Sequence, residues 1–335
     1  MLASTADLLR LLAVPALGWA AVRDVRTRRL PNRLWPPLVA LGVLTLAWDA
    51  LGHVPVAGVD DRLFLIRVGV SLCFLVPVAY GLWWVGGFGG ADAKALMTVA
   101  VLFPTYPVYY LPFGAYPAVR TTLGVFSMTV LTNTVLLGAA YPLYLGVRNA
   151  LAGERSPVMF VGRRTAVSAL PSEHGCLFET PEGFTRSGLD IDALRMYLRW
   201  RGTTLSALRA ETARHRDPAS VGETHDPTDG AVDEDDGVGA ASNEEPSADG
   251  GDGDDPTAAD YDDPWAAERF LDEIEGSAYG TTPETLRAGL RVVTTREEVW
   301  ISPGIPFLVP IFVGLVVALT YGDLLFSLLG AVGAV

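Results

Sequence analysis

Six apolar stretches, at about residues 8–22, 36–51, 64–85, 93–111, 123–147 and 304–325, constrain this chain more than any other feature. A helix crossing the ~30 Å hydrocarbon core needs about 20 residues, and a backbone in hydrocarbon must satisfy its own N–H and C=O groups. The expected fold is therefore an all-α polytopic membrane protein with six transmembrane helices. The first two stretches are short, and Pro104, Pro107 and Pro142 are expected to bend the fourth and fifth. Arg10 is the only base before or within the first stretch, and the arginines cluster after it, so it reads as a retained span and not as a cleaved signal.

Charge divides the chain into two materials. From Asp217 to Asp263 there are seventeen acids and no Lys or Arg, so a net charge of −13 resolves into −17 there and about +4 elsewhere. Scarce lysine with abundant Asp and Arg is a composition that stays soluble in high salt. The expected organisation is 1–147 for spans one to five, 148–215 for the first part of a soluble insertion, 216–263 for an acidic disordered linker, 264–302 for the second part, and 303–335 for the sixth span.

The insertion reads as small and α+β. Turn signals at Pro181-Glu182-Gly183 suggest a hairpin, and Leu189, Ala193, Met196, Tyr197 and Trp200 recur at helical spacing. A helix is expected near Thr282–Leu290 and a strand at Leu290–Thr295. The linker has too little apolar surface to offset ordering. It reads either as a solvating spacer or as a lure for basic peptides.

Arg23, Arg26, Arg28, Arg29 and Arg33 place the first connection in the cytoplasm, and alternation then puts the loop before residue 93 and the insertion on that side, with both termini outside. Cys73 and Cys176 give no disulfide framework, and four scattered histidines lack metal-ligand spacing. No metal, cofactor or nucleic-acid partner is expected. His174 and Cys176 stand too close in sequence and too unsupported for a thiol protease.

Two aspartates then stand out. Asp24 lies in Arg23-Asp24-Val25-Arg26-Thr27-Arg28-Arg29-Leu30-Pro31-Asn32-Arg33, just after an apolar run, and Asp92 lies in Gly86-Gly87-Phe88-Gly89-Gly90-Ala91-Asp92-Ala93-Lys94, just before another. Carboxylates beside hydrocarbon are expensive and mark function. To cleave a peptide with water and no metal, one carboxylate takes a proton from water while its protonated partner donates one, and two carboxyl groups held close share a single proton. Asp24 and Asp92 are the candidate catalytic residues. Gly89 and Gly90 allow backbone conformations a side chain would forbid and let a substrate backbone come close to Asp92, Ala91 keeps the approach narrow, and Pro31 and Asn32 shape the turn before the second span. Lys94, the only lysine, has two readings: a group that steadies a carboxylate, or an anchor for lipid phosphate. Asp323, about 28 Å of helical rise beyond residue 304, is expected at the opposite surface.

These two motifs resemble those of the type IV prepilin peptidases, and more closely those of the archaeal prepilin and preflagellin peptidases, related through a Gly-x-Gly-Asp motif to presenilin-like proteases. Ala91 stands where that motif has its second glycine. The stretch Trp300-Ile301-Ser302-Pro303-Gly304-Ile305-Pro306-Phe307 is similar to the approach to the last span in haloarchaeal members. The resemblance covers about 1–147 and 300–335. It implies an aspartic membrane endopeptidase acting on the leaders of prepilin or archaellin precursors at the cytoplasmic face, with membrane lipid as the other partner. Bacterial members that also methylate carry Cys-x-x-Cys pairs, which this chain lacks, so cleavage without methylation is expected. The rival reading is a transporter or channel-like protein using the same acids as cation or proton sites, although these acids lie at an interface and no duplicated halves are visible. Nothing in the sequence fixes an oligomeric state.

Overall fold

The computed structural model describes residues 2–85, 87–156, 158–232, 261–274, 278–303 and 306–333. Its elements are, in order, α1 (Thr5–Arg10), α2 (Ala13–Thr27), α3 (Trp35–Leu51), α4 (Val59–Val70), α5 (Val76–Trp84), α6 (Gly90–Leu102), β1 (Tyr109–Leu111), β2 (Gly114–Tyr116), α7 (Phe126–Leu151), β3 (Arg163–Ala166), β4 (Cys176–Leu177), β5 (Glu179–Thr180), β6 (Gly183–Phe184), α8 (Ile191–Trp200), α9 (Leu205–Ala210), α10 (Thr212–Arg216), α11 (Ala267–Glu273), α12 (Pro283–Thr295), β7 (Glu298–Ser302), α13 (Leu308–Thr320) and α14 (Leu324–Ala331). They form two units, Met1–Leu143 with Ile305–Val335, and Tyr144–Gly304.

In the helical unit, α6 packs on α3 and α5, and α13 packs along α2. Small residues set these crossings. A Cβ at Gly42 would lie 2.9 Å from Val101 Cγ1, and one at Gly314 would lie 2.8 Å from Thr134 Oγ1, so a larger residue at either position would push two helices apart.

Four helical runs among the described residues are long and apolar enough to cross a membrane: Thr5–Thr27, Asn32–Leu51, Val59–Trp84 and Phe126–Leu151. The first is α1 and α2 joined by a tightened turn, in which Leu12 N–H bonds Leu9 O and Val14 N–H bonds Leu11 O. Six full spans are not seen. The fourth apolar stretch does not continue as a helix to residue 111, because α6 ends at Leu102 and the chain turns into the β1–β2 hairpin. Pro104 and Pro107 stop the helix instead of bending it, since a residue before proline is driven out of the helical region. At 13 residues each, α6 and α13 rise about 20 Å and fall short of a full crossing.

Asp323 lies just beyond the end of α13 that is farther from Leu308, the residue beside Asp24. It is 1 % exposed, caps α14 by accepting from Phe326 N at 2.9 Å, and accepts from Thr129 Oγ1 at 2.7 Å. The reason is the break at Gly322, φ 114°, where a Cβ would meet Val119 O at 1.9 Å. Helix α13 ends before that glycine, and Asp323, the residue after it, is buried. Asp49, another acid flanking a membrane segment, pairs at 2.6 Å with Arg10, which also bonds Asp7 at 2.9 Å.

The insertion unit is built on an antiparallel sheet in the order β3–β7–β4, with Arg163 opposite Ile301 and Cys176 opposite Ser302. The β5–β6 hairpin turns at Pro181-Glu182, as the turn signals imply. Helix α8 buries Leu194, Tyr197, Leu198 and Trp200 in one core with Trp265, Phe270 and Leu290. The strand expected at 290–295 is helix, because Leu286, Leu290 and Val293 continue one buried face at spacings of four and three. The strand comes later, at Glu298–Ser302.

Residues 217–232, expected to be disordered, are held on α8. Gly230 O accepts from Arg195 Nε at 2.6 Å, His225 N–H bonds Trp200 O at 2.9 Å, and Thr228 Oγ1 accepts from Arg199. Gly230 itself must lack a side chain, since φ is 69° and a Cβ would lie 2.3 Å from Asp192 O. Hydrogen bonds from arginines on α8 substitute here for apolar burial. Residues 233–260 of the expected linker lie outside the described residues, as do Gly86 of the glycine-rich loop and Gly304 of the last apolar stretch.

Candidate functional site

Helix α2 buries Ala13, Leu17, Ala20, Ala21 and Asp24. The separations of four, three, one and three residues put all five on one stripe. Asp24, 9 % exposed, therefore faces protein and not lipid. Helix α6 is apolar nearly all round, as befits a helix enclosed by others, and Asp92 occupies its first turn.

Each carboxylate is held by one backbone donor. The N–H of Gly89, the residue that caps α6, donates to Asp92 three positions on, the reach-back half of a capping box. The N–H of Leu308, first residue of α13, donates to Asp24, so a helix N-terminus is aimed at that carboxylate. The two carboxylates also lie within electrostatic reach of each other, and the Arg28 guanidinium acts on both. Arg28 caps α2 in the left-handed region, φ 54°, with its N–H on Asp24 O at 3.0 Å.

The loop after α2 is closed by its own side chains. Arg23 Nε donates to Arg29 O at 3.2 Å, and Thr27 Oγ1 donates to the same oxygen at 3.1 Å. Pro31 leads into a single turn over Asn32–Leu34, and Asn32 Oδ1 accepts from Lys94 Nζ at 2.6 Å across 62 residues of sequence. That bond joins the segment carrying Asp24 to the helix carrying Asp92. Phe88, beside the glycines, packs at a tilt of 41° against Phe307 with ring centroids 5.0 Å apart, which brings the start of α13 to the same place.

Of the expected supporting glycines, only Gly89 would bring an added Cβ against an aspartate carboxylate, which would have to shift to make room. A Cβ there would lie 2.9 Å from Asp92 Oδ2, whereas one at Gly90 would meet Trp83 Nε1 at an ordinary 3.6 Å. Ala91 packs against the core of the helical unit. Two participants escaped the sequence reading. Arg28 was visible only as one of several arginines marking sidedness, and the Leu308 N–H, as a backbone group, has no sequence signal beyond the Pro306-Phe307 approach to its helix.

Cys176 is no nucleophile. Its Sγ donates to Asp190 Oδ2 at 3.5 Å, and burial, followed by the Asp190 charge, pushes the thiol up to about 12. Among the described residues no three His, Cys, Asp or Glu side chains gather as metal ligands would.

Comparison with known proteins points the same way as the motifs. Residues 11–143 match the type IV leader peptidase family, and residues 262–324 match the archaeal Peptidase A24 C-terminus Type II. The second match extends the likeness into the insertion, beyond the 300–335 that the motifs cover. A preflagellin peptidase of Methanococcus voltae is 28 % identical over 139 residues, which is 40 % of this chain and 54 % of that protein. One of Methanocaldococcus jannaschii is 25 % identical over 159 residues, 44 % of this chain and 63 % of that protein. A prepilin peptidase, EppA, of Methanothermobacter thermautotrophicus is 29 % identical over 128 residues, 37 % of this chain and 31 % of that protein. The chain thus matches between about half and two thirds of the length of the first two.

Proposed function

We propose, on the premise that this chain belongs with the type IV leader peptidase family it matches, that it is a membrane aspartic endopeptidase in which Asp24 and Asp92 together activate water. The substrates would be type IV prepilin-like or archaellin precursors, cut between a short basic leader and the apolar segment behind it. The cut falls at the cytoplasmic face, where the arginines of the first connection also meet anionic lipid headgroups.

The observation that carries this reading is the convergence of two carboxylates from segments 68 residues apart in sequence, on buried or half-buried helix positions, each oriented by a backbone N–H. Placing like charges together without a function is unfavourable, and such pairs concentrate at sites that use them.

The chemistry balances with one proton on the pair. The ionised carboxylate takes a proton from water as the oxygen adds to the scissile carbonyl carbon, and the protonated carboxyl donates to the carbonyl oxygen. The tetrahedral intermediate collapses when the C–N bond breaks. The leaving amine takes the proton just gained from water, and the intermediate's hydroxyl returns the other, restoring the starting state. The titration belongs to the pair and not to either residue. No methyl transfer accompanies the cut.

The test is to express the chain with a precursor bearing its leader, alongside Asp24→Asn and Asp92→Asn. Either change abolishes processing while the amount of inserted protein is unaltered. Wild-type cleavage by either variant would end the proposal.

A further inference from the structure

The insertion unit carries a cavity of about 630 Å³ that the peptidase reading does not use. Three guanidinium groups line it: Arg216 at the end of α10, Arg291 one turn before the end of α12, and Arg296 just after that helix. Arginines at helix C-termini commonly do no more than complement the carbonyls there. Here that task is already taken on α12, because Arg209 Nη1 donates to Val293 O at 2.8 Å and to Arg296 O at 2.6 Å. Arg296 is paired with Glu179 at 2.5 Å, while Arg291 has no acidic partner among the described residues.

A second, independent feature lies in the same wall. Trp265 lines the cavity, is 1 % exposed, and its indole N–H meets no acceptor among the described residues. An orphaned buried donor is costly and calls for a partner. The residue is also held in the left-handed region, φ 69°, ψ 3°, followed by Ala266 at φ 53°. Its carbonyl is pinned by Tyr197 Oη at 2.8 Å and Arg201 Nη1 at 3.1 Å, which keeps the strained turn in place. Backbone strain of this kind clusters at ligand sites.

We infer that this cavity binds a small phosphate-bearing anion, with Arg291 and Arg216 contributing positive charge and the Trp265 indole supplying a neutral donor. Guanidinium forks match phosphate oxygens in geometry as well as charge. Apolar walls from Val292, Ala213 and Pro181 leave room for an organic part beside the phosphate. The same chemistry arises from a soluble phosphate compound or from a lipid headgroup.

The experiment uses the full chain in neutral detergent at fixed salt, titrated with inorganic pyrophosphate and followed by phosphorus NMR and calorimetry. Saturable binding with one site per chain is expected, weakened about tenfold by Arg291→Gln, as for loss of one charge-assisted contact, and largely restored by Arg291→Lys. Melting curves without ligand check that each variant is folded. Reconstitution into phosphatidylglycerol or phosphatidylcholine vesicles separates the sources. Displacement of pyrophosphate by phosphatidylglycerol alone assigns the site to a lipid headgroup, and binding retained in both assigns it to a soluble phosphate. Absence of saturable binding, or binding unchanged in a folded Arg291→Gln, Arg216→Gln double variant, overturns the inference. Precursor processing plays no part in this readout, so its failure and that of the peptidase reading are distinct.

Discussion

The helical unit and the insertion unit both answer most of their buried acids with a partner, and they differ in the exceptions. In the insertion, acids are answered by arginines: Asp192 by Arg195, Asp263 and Glu268 by Arg287, Glu179 by Arg296. In the helical unit the two other buried carboxylates are likewise neutralised or used as caps, Asp7 by Arg10 and Asp323 on α14. Asp92 departs from that pattern in the helical unit, because the charges it meets include Asp24 as well as Arg28; in the insertion Asp190 likewise meets Asp192, but there Cys176 donates to it. On the proposed reading, that contrast separates acids that hold structure, such as Asp7 and Asp323, from Asp24 and Asp92, which are kept for chemistry.

The largest expected effect tests that separation directly. Asp24→Asn or Asp92→Asn lowers precursor processing by about 10²–10⁴-fold, the range for removing an acid–base group. Asp323→Asn leaves processing per inserted molecule unchanged, because that side chain only caps and ties helices. Equal losses in all three variants, measured by cleavage in isolated membranes, would erase the distinction.

Next is the glycine contrast. Gly89→Ala puts a methyl group 2.9 Å from Asp92 Oδ2 and displaces the carboxylate, at a cost of about 10²-fold in turnover. Gly90→Ala, with its nearest contact at 3.6 Å, is near wild type.

A smaller effect sharpens the role of Lys94. If its bond to Asn32 fixes the two site segments, Lys94→Met and Asn32→Leu each lower turnover about tenfold, the value of one charged hydrogen bond, and the double variant is no worse than either single one. A lipid-anchoring lysine would instead leave Asn32→Leu silent.

The smallest lies in the insertion. Burial pushes the Asp263 carboxyl up, but bonds from Arg287 and from the Glu268 and Arg269 N–H groups outweigh it and hold the group below the ordinary carboxylate range. A lowered folded-state value stabilises the protein fully above the unfolded value of about 3.9, and that stability is lost as pH falls through the folded value. Asp263→Asn should therefore cost on the order of 1 kcal/mol near neutrality, with wild type and variant converging in acid. Unfolding of the full chain followed at several pH values checks the sign.

The sequence made the helical unit legible where hydropathy and charge act locally. Asp24 and Asp92 announced themselves as acids beside apolar runs, and five arginines marked one loop. The reading went astray where chain direction mattered more than composition. Residues 103–111 are as apolar as a span, yet Pro104 and Pro107 end the helix and the chain turns into a hairpin. Arg28 and the Leu308 N–H reach the carboxylates only through three-dimensional packing. In the insertion, the helical spacing from Leu189 to Trp200 was readable. The order of residues 217–232 was not, because it depends on arginine bonds to distant carbonyls and not on any apolar pattern.

The central claim is that side chains 24 and 92 share one site, and proximity is its most direct test. In a chain whose Cys73 and Cys176 are replaced by serine, Asp24→Cys and Asp92→Cys are introduced together and treated in membranes with a short bis-thiol-reactive linker. Efficient intramolecular cross-linking, absent from either single variant, is the predicted result. A pair that stays unlinked with short and long reagents, while each thiol remains reactive alone, would contradict the account.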